Sequence, residues 1–288
     1  MRTKRIFTGL TPLLILVFGV VNTVSGQSKK ETPFNIITYN IRMNTPDDGV
    51  NAWPLRKEKV AGLLKFHQAD IFNVQEALPE QMDDLVSLFP EFDHVGVGRD
   101  DGKRAGEHMG IFFKKGRFEK ITDGMFWLSE TPDKPGFGWD AVCNRTVTWI
   151  KLKDKITKKT FYVFDTHFDH RGNKAREESA KLILNSIKEI NKENLPLMLT
   201  GDLNLIKTSV PVQLILKELP DAMDKTIAPH YGPTGTSGGF DVKVLPRKID
   251  YIFINDKVTV LRHGHLSDSF GLYYPSDHIP VLAEVRIN

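Results

Sequence analysis

Cysteine is nearly missing: Cys143 is the single one in 288 residues. No intrachain disulfide can form, so the fold has to be held by its core. An excess of one charge is missing too. Lysine and arginine number 39 against 36 acids, and Arg2, Lys4 and Arg5 stand in an opening segment with no acid before Gln27. The rest of the chain is close to neutral. That excludes a protein that coats nucleic acid through a general basic surface, and leaves room for a locally basic cleft. A long apolar run is also lacking. Leu13 to Val21 is shorter than the about 20 residues a bilayer span needs, so no stable membrane span is expected. Preceded by the three basic residues and followed by Val24-Ser25-Gly26, that run reads as a signal peptide over 1–26. Cleavage near Gly26–Gln27 would deliver a secreted or periplasmic protein. No cysteine lies near the cleavage point, which argues against lipid attachment there.

Repeats, low-complexity tracts and linkers rich in Pro, Gly or Ser are absent as well. The remaining residues suffice for one large α/β domain or two small ones. "FNIITYNIR", Phe34 to Arg42, alternates and is β-branched, so it predicts a strand. Pro54 fits a first helical turn, and Val60, Leu63, Leu64 and His67 continue an amphipathic helix. "DIFNVQE" predicts a second strand and Leu78 to Phe89 a second helix. "GIFFKK", "TVTWIKL" and "FYVFDTH" then follow as strands without long helices between them. A helix is expected from about Asn173 to Asn191, then the strand "LMLTGD", a short helix "VQLILKEL", and closing strands "KIDYIFIN" and "PVLAEVRI". Strand pairs without crossovers, mixed with helices, imply mixed sheets.

Polar residues recur at one kind of place, the downstream end of an apolar strand. They are Asn40, Glu76, His167 with Asp169, Asp202 with Asn204, Asp250, and Asp277 with His278. Each has a bland explanation alone: a turn around Gly201, a cap at Glu76 or Asp277, a structural histidine, an Asp250 paired with Lys248. One shared site explains them together. Oxygen donors such as Glu76 and Asp277, with no thiolate or histidine cluster beside them, fit a hard cation such as Mg²⁺ or Mn²⁺. Asp202 beside an amide suits holding and deprotonating a water. The histidines supply hydrogen bonds to phosphate, with a carboxylate fixing the tautomer. These parts make an in-line attack of water on phosphorus.

The motifs "ITYNIR", "NVQEA", "DTHFDH", "TGDLNL" and "SDHIPV", in that order across nearly the whole chain, resemble the endonuclease/exonuclease/phosphatase superfamily. The superfamily includes pancreatic-type deoxyribonuclease, neutral sphingomyelinases, inositol-polyphosphate phosphatases and deadenylases. The resemblance implies one catalytic domain over 27–288, folded as a four-layer α/β/β/α sandwich of two mixed sheets flanked by helices. It implies Glu76 as principal metal ligand, helped by Asn40 and Asp277. Asp202 would orient or deprotonate water, and Asn204 would hold that water and the phosphate. His167 and His278 would contact the phosphate, with Asp250 on His278 and Glu107 on His167. Arg42 departs from the repair-endonuclease branch, which has an acidic ligand there. "FWLSETP" and "GWDAVCNRTVTW" resemble secreted bacterial members and, loosely, deadenylases. On that likeness Trp127, Trp139 and Arg145 are expected to line the cleft, although two tryptophans near a strand fit a core equally well. Asp169, His170 and Arg176 are further cleft candidates.

The resulting expectation is a secreted, Mg²⁺- or Mn²⁺-dependent phosphoesterase acting on a phosphodiester or phosphomonoester. Two rivals stand beside it: a nuclease (a deadenylase-like exoribonuclease or a deoxyribonuclease-like endonuclease), and a non-catalytic binding module on the same fold. A phosphoester is the expected partner, with nucleic acid open. The scattered, acid-interleaved lysines of "KLKDKITKKT" and "IKEINKEN" favour recognition of one or two phosphates over a polymer.

Overall fold

The computed structural model describes residues 32–288, together with Met1, Thr3, Ile6 and Gly9. The expected signal peptide falls almost wholly outside the described residues. Glu31–Asn288 forms one compact unit. Its elements run β1 (Phe34–Asn40), a 3₁₀ turn (Pro46–Asn51), α1 (Trp53–Phe66), β2 (Ile71–Ala77), α2 (Pro79–Leu88), β3 (Phe92–Val95), β4 (His108–Lys114) and β5 (Phe118–Trp127). There follow β6 (Thr146–Asp154), β7 (Thr160–His167), α3 (Asn173–Ile190), β8 (Leu197–Asp202), α4 (Val210–Leu216), α5 (Ala222–Lys225), β9 (Asp250–Ile254), β10 (Val258–His265) and β11 (Val281–Ile287).

These strands make two mixed sheets. One has six strands in the order β10-β11-β1-β2-β4-β3, and the other five in the order β5-β6-β7-β8-β9. Only β1 with β2 and β7 with β8 pair in parallel, and each pair is joined through a helix, α1 or α3, as parallel neighbours require. The sequence reading misses β3, β5 and β10. β3 is very short, and β5 is an edge strand exposed from Glu119 to Asp123, so neither shows the apolar alternation that signals a strand. β10 breaks its alternation at a bulge between Val260 and Arg262.

Three apolar layers hold the sandwich. Phe34, Ile36, Ile71, Ile111, Val163, Met198, Ile252 and Val285 fill the space between the sheets. Ile37, Tyr39, Phe72 and Val74 point the other way, under Val60, Leu64 and Leu85 of α1 and α2. Phe164, Leu199 and Phe253 do the same under Ile183, Ile187 and Ile215 of α3 and α4. Both faces of the central strands are therefore buried, giving the four-layer α/β/β/α sandwich expected. A polar seam crosses the middle layer: Asn73 Nδ2 donates to Thr200 Oγ1 at 2.6 Å, and Gln75 Nε2 to Asp165 Oδ1 at 2.8 Å. Thr200 Oγ1 also donates to Asp165 Oδ1, at 2.7 Å, so the seam fixes how the sheets sit on each other.

Candidate active site

The strand ends meet at one edge of the two sheets. β1 and β2 bring Asn40 and Glu76 from the six-stranded sheet; β7, β8 and β9 bring His167, Asp202 and Asp250 from the other. Local backbone does much of the aiming. The β2–β4 register shifts between Val74 and Ala77, and Glu76 sits there at φ 62, so its side chain leaves the alternation of the strand. Gly201 answers to close approach: a Cβ there would lie 1.9 Å from the Thr166 carbonyl of β7. Asn204 follows at φ 53, a left-handed position asparagine tolerates, with its N–H donating to Asp202 Oδ1 at 2.8 Å.

Asn40 ties the sheets together at this edge. Its Nδ2 donates to Glu76 Oε1 and to Asp202 Oδ2, each at 3.0 Å, and its Oδ1 accepts the Arg42 N–H at 3.0 Å. Its amide thus serves first as a donor linking two carboxylates, a role beyond the metal contact expected for it. Asp202 Oδ2 lies 3.5 Å from His167 Nε2 and 3.8 Å from His278 Nε2. His278 Nδ1 lies 2.9 Å from Asp250 Oδ2. Lys248, the alternative partner for Asp250, pairs with Asp221 instead, at 2.5 Å.

The two histidines are held in opposite charge states. Burial opposes charge on both. At His278 the carboxylates of Asp250 and Asp202 overcome it and raise the pKa well above the ordinary value. At His167 the nearby Arg145 and Arg99 add to burial and lower it strongly. The neutral His167 receives Asn204 Nδ2 at Nε2, 3.1 Å away, so its proton sits on Nδ1. That Nδ1 is 3.9 Å from Glu107 Oε2, too long for a hydrogen bond. Glu107, expected on His167, is buried beside it, but its firm partner is Arg99 at 2.5 Å. Burial, then the neighbouring Asp250 charge, pushes Asp202 up to about 7.

Glu76, His167 and Asp202 each offer a ligand atom within 4.8 Å of the others, a mixed oxygen and nitrogen set; Asp277, the expected co-ligand, belongs to no such group among the described residues. Burial works against charge on Glu76, yet Asn40, His278, the Met43 N–H and Arg42 hold its carboxyl below the ordinary range, ionised as a ligand must be. Asp277 is raised by burial and by the Glu76 charge, a repulsion that a cation between them would relieve. Arg42 is turned away onto Asp48, 3.2 Å off through both Nε and Nη2.

The outer candidates divide. Arg145 is 5% exposed; its Nη2 meets His170 Nδ1 at 3.2 Å, while Nε and Nη1 have no hydrogen-bond partner among the described residues. His170 is exposed. Asp169 is buried, accepts N–H groups from Arg171, Gly172 and Val142 at 2.7–3.0 Å, and lies 3.9 Å from Arg145 Nε. Trp127 takes the core alternative, being 7% exposed with Nε1 donating to the Arg99 carbonyl at 2.7 Å. Arg176 turns onto Asn173 and the Arg171 carbonyl at the start of its own helix. Trp139 is half-buried, with its N–H on Glu130 Oε2; among the described residues no hydrogen bond or ion pair joins it to the cluster.

Two supporting residues escape the sequence reading. Arg56 of α1 donates to the carbonyls of Ile41, Arg42, Asn51 and Pro275. It thereby joins the segment after Asn40 to the one before Asp277. Gln81 of α2 donates to the Arg42 carbonyl and accepts from Asn44 and Leu78. Arg56 carries no signal in sequence, because a charged residue on an amphipathic helix reads as solvated. Gln81 carries a weak one, three residues after Leu78 at a helix start.

A family model described as "Endonuclease/Exonuclease/phosphatase family" matches residues 37–278. Among solved structures, a family protein from Bacteroides thetaiotaomicron is 37% identical, covering 89% of this chain and 98% of its own, with a TM-score of 0.86. A mannosyl-6-phosphatase from the same organism is also 37% identical, covering 88% of this chain and 99% of its own, at 0.85. The human nocturnin catalytic domain, 18% identical over 89% of this chain and 94% of its own at a TM-score of 0.71, shares the fold. A curated but uncharacterized mimivirus protein is 25% identical over 56% of this chain, and the match spans 62% of that relative's length. With the model matching most of its length and these bacterial structures covered almost end to end, the chain belongs to the endonuclease/exonuclease/phosphatase family, whose members are generally phosphoester-hydrolysing enzymes.

Proposed function

We propose that the protein is a divalent-metal-dependent phosphoesterase acting on a small phosphorylated substrate, with a phosphorylated sugar first in line. The observation that carries this is the Asn40 amide held between Glu76 and Asp202, with His167 and His278 on the same Asp202 oxygen. Packing alone has no use for so many ionisable groups at one edge. Glu76, with Asp277 and Asn40, would hold Mg²⁺ or Mn²⁺, which when bound supplies a Lewis acid for the phosphoryl oxygens. Asp202 accepts the proton of the attacking water, and Asn204 positions that water against the phosphate. The His278 imidazolium, kept charged by Asp250, stabilises negative charge growing on the phosphoryl oxygens. His167 presents a neutral ring to the same group.

Substrate size is inferred from the cations at hand. Beyond His278, Arg145 is a buried guanidinium in this region whose Nε and Nη1 make no hydrogen bond among the described residues. These atoms lie 3.9 and 4.0 Å from Asp169 and Glu107, and His170 is exposed beside Arg145. One phosphate satisfies such a set; a long polymer needs a basic track. The buried Trp127 also removes one stacking surface that a nuclease would use. The mannosyl-6-phosphatase neighbour supports a sugar phosphate. Export after cleavage near Gly26–Gln27 belongs to the same proposal, and N-terminal sequencing of exported protein checks it.

The test is turnover of mannose 6-phosphate, bis-p-nitrophenyl phosphate and single-stranded RNA, with Mg²⁺ or EDTA, across a range of NaCl. Expected are efficient small-substrate turnover with a shallow salt slope, abolition by EDTA, and collapse in Glu76→Gln with weakened Mg²⁺ binding by calorimetry. Efficient RNA cleavage with a steep slope and no small-substrate turnover would favour the nuclease. Full activity in EDTA would sink the metal mechanism.

A further inference from the structure

Three histidines gather away from the strand ends of the site. His263 and His265 are two apart on β10 and so project from one face of that edge strand. His230 comes from the loop after α5. The ring centroids are 5.1 Å apart for His230–His263, 4.6 Å for His230–His265 and 5.3 Å for His263–His265. One ring nitrogen from each lies within 4.8 Å of one from each of the others.

The protons can be placed. The Pro233 carbonyl accepts from His230 Nε2 at 3.2 Å and from His265 Nδ1 at 2.7 Å. A carbonyl only accepts, so His230 Nδ1 and His265 Nε2 carry lone pairs. His230 Nδ1 accepts the Nδ1 proton of His263 at 2.9 Å, leaving the His263 lone pair on Nε2; a bound metal would have to take over the His230 lone pair from this hydrogen bond. His263 Nε2 and His265 Nε2 have no hydrogen-bond partner among the described residues, although the two residues are 2% and 0% exposed. Buried ring nitrogens left this way cost stability unless something uses them. Burial, with the neighbouring imidazoles and Lys248 adding to it, holds His263 at about 2 and His265 at about 3, so both stay neutral, the form that ligates metal. The Lys248 charge is answered by Asp221.

A backbone carbonyl behind a ring, fixing which nitrogen faces inward, is how ligating histidines are oriented. A donor set of nitrogen alone suits zinc and its neighbours and not the hard cation of the catalytic edge. We propose that His230, His263 and His265 form a second metal site, for a divalent transition metal of the zinc type, bound through three imidazole nitrogens with a fourth position left for water. The site staples the loop from His230 to the edge strand. That loop runs on to Thr236, whose Oγ1 accepts the N–H groups of Ile249 and Asp250, and to Ser237, which bridges to His278. The metal therefore braces the chain behind the Asp250–His278 pair.

Zinc titration by calorimetry on EDTA-stripped Glu76→Gln protein tests this, because that background weakens the catalytic cation site and leaves the histidines intact. One equivalent of zinc is expected to bind. Affinity should fall at least about tenfold in His265→Gln and again in His230→Gln, both added to the same background. His230 is half-exposed, so its replacement leaves the core closed if His265→Gln fails to fold. Cobalt(II) should give the intense visible absorption of a four-coordinate ion in the parent and lose it in His230→Gln. Zinc affinity unchanged in the histidine variants, or no zinc uptake by the parent, overturns the proposal whether or not the catalytic reading holds.

Discussion

Asp202 and Asp250 stand directly opposite each other, as register partners at the ends of β8 and β9. Each is 1% exposed, and the His278 ring reaches both, through Nδ1 to Asp250 at 2.9 Å and Nε2 to Asp202 at 3.8 Å. Burial and the Asp250 charge raise the pKa of Asp202, and the His278 imidazolium beside both works against that. The pair therefore divides labour: Asp250 is committed to the histidine, and Asp202 keeps an oxygen toward Asn40 and His167.

Asp250→Asn removes the charge that keeps His278 protonated while retaining shape. We expect kcat to fall by roughly 10²–10⁴-fold with KM changed much less, since the lost interaction grows in the transition state. Steady-state kinetics at saturating Mg²⁺, alongside circular dichroism, measure this. A kcat within a few-fold of the parent would make the pair structural.

Asp165 offers a pH-dependence away from the reacting groups. Burial raises its pKa well above the usual carboxyl value, against hydrogen bonds from Thr200 and Gln75 that lower it. The folded state thus holds the proton more tightly than the unfolded chain. Its contribution is full below the unfolded pKa of about 3.9 and is lost as pH rises through the raised folded value. Asp165→Asn, neutral at every pH, should flatten that loss. Thermal melts of both proteins from acid to alkaline pH should diverge upward from about pH 4, the parent falling relative to the variant. Parallel curves would show that Asp165 is ionised in the fold.

Arg56 is 2% exposed, lies against Trp53 and Phe240, and serves four carbonyls. Arg56→Met keeps the bulk but strands those oxygens. The expected cost is about 3 kcal/mol or more, read by urea unfolding. Mg²⁺ affinity should weaken as well, because the segments bearing Asn40 and Asp277 lose their common brace. A stable variant with unchanged Mg²⁺ binding would show the brace to be dispensable.

The strands that carry the site were legible because both their faces are buried. Runs such as Leu197 to Thr200 and Tyr251 to Ile254 announce themselves, and a polar residue at the end of each stands out. β5 and β10 were not, since one is solvated along half its length and the other slips register at Val260. That polar residues gather at strand ends was readable residue by residue; what supports them was not. Sequence cannot show that three backbone N–H groups already occupy Asp169. Arg56 looked like surface because helix periodicity says nothing about carbonyls arriving from Pro275. The histidines at 230, 263 and 265 stayed invisible as a group because a missed strand holds two of them.

The hydrogen bond from Asn40 to Asp202 joins residues of different sheets. Neither half of the sandwich owns the candidate site: one supplies Glu76 and Asn40, the other Asp202, His167 and Asp250. A fragment bearing either sheet would be chemically mute, however well its strands paired. On the proposed function, turnover would therefore be a gauge of docking, registering the closeness of two layers that no secondary-structure signal can sense.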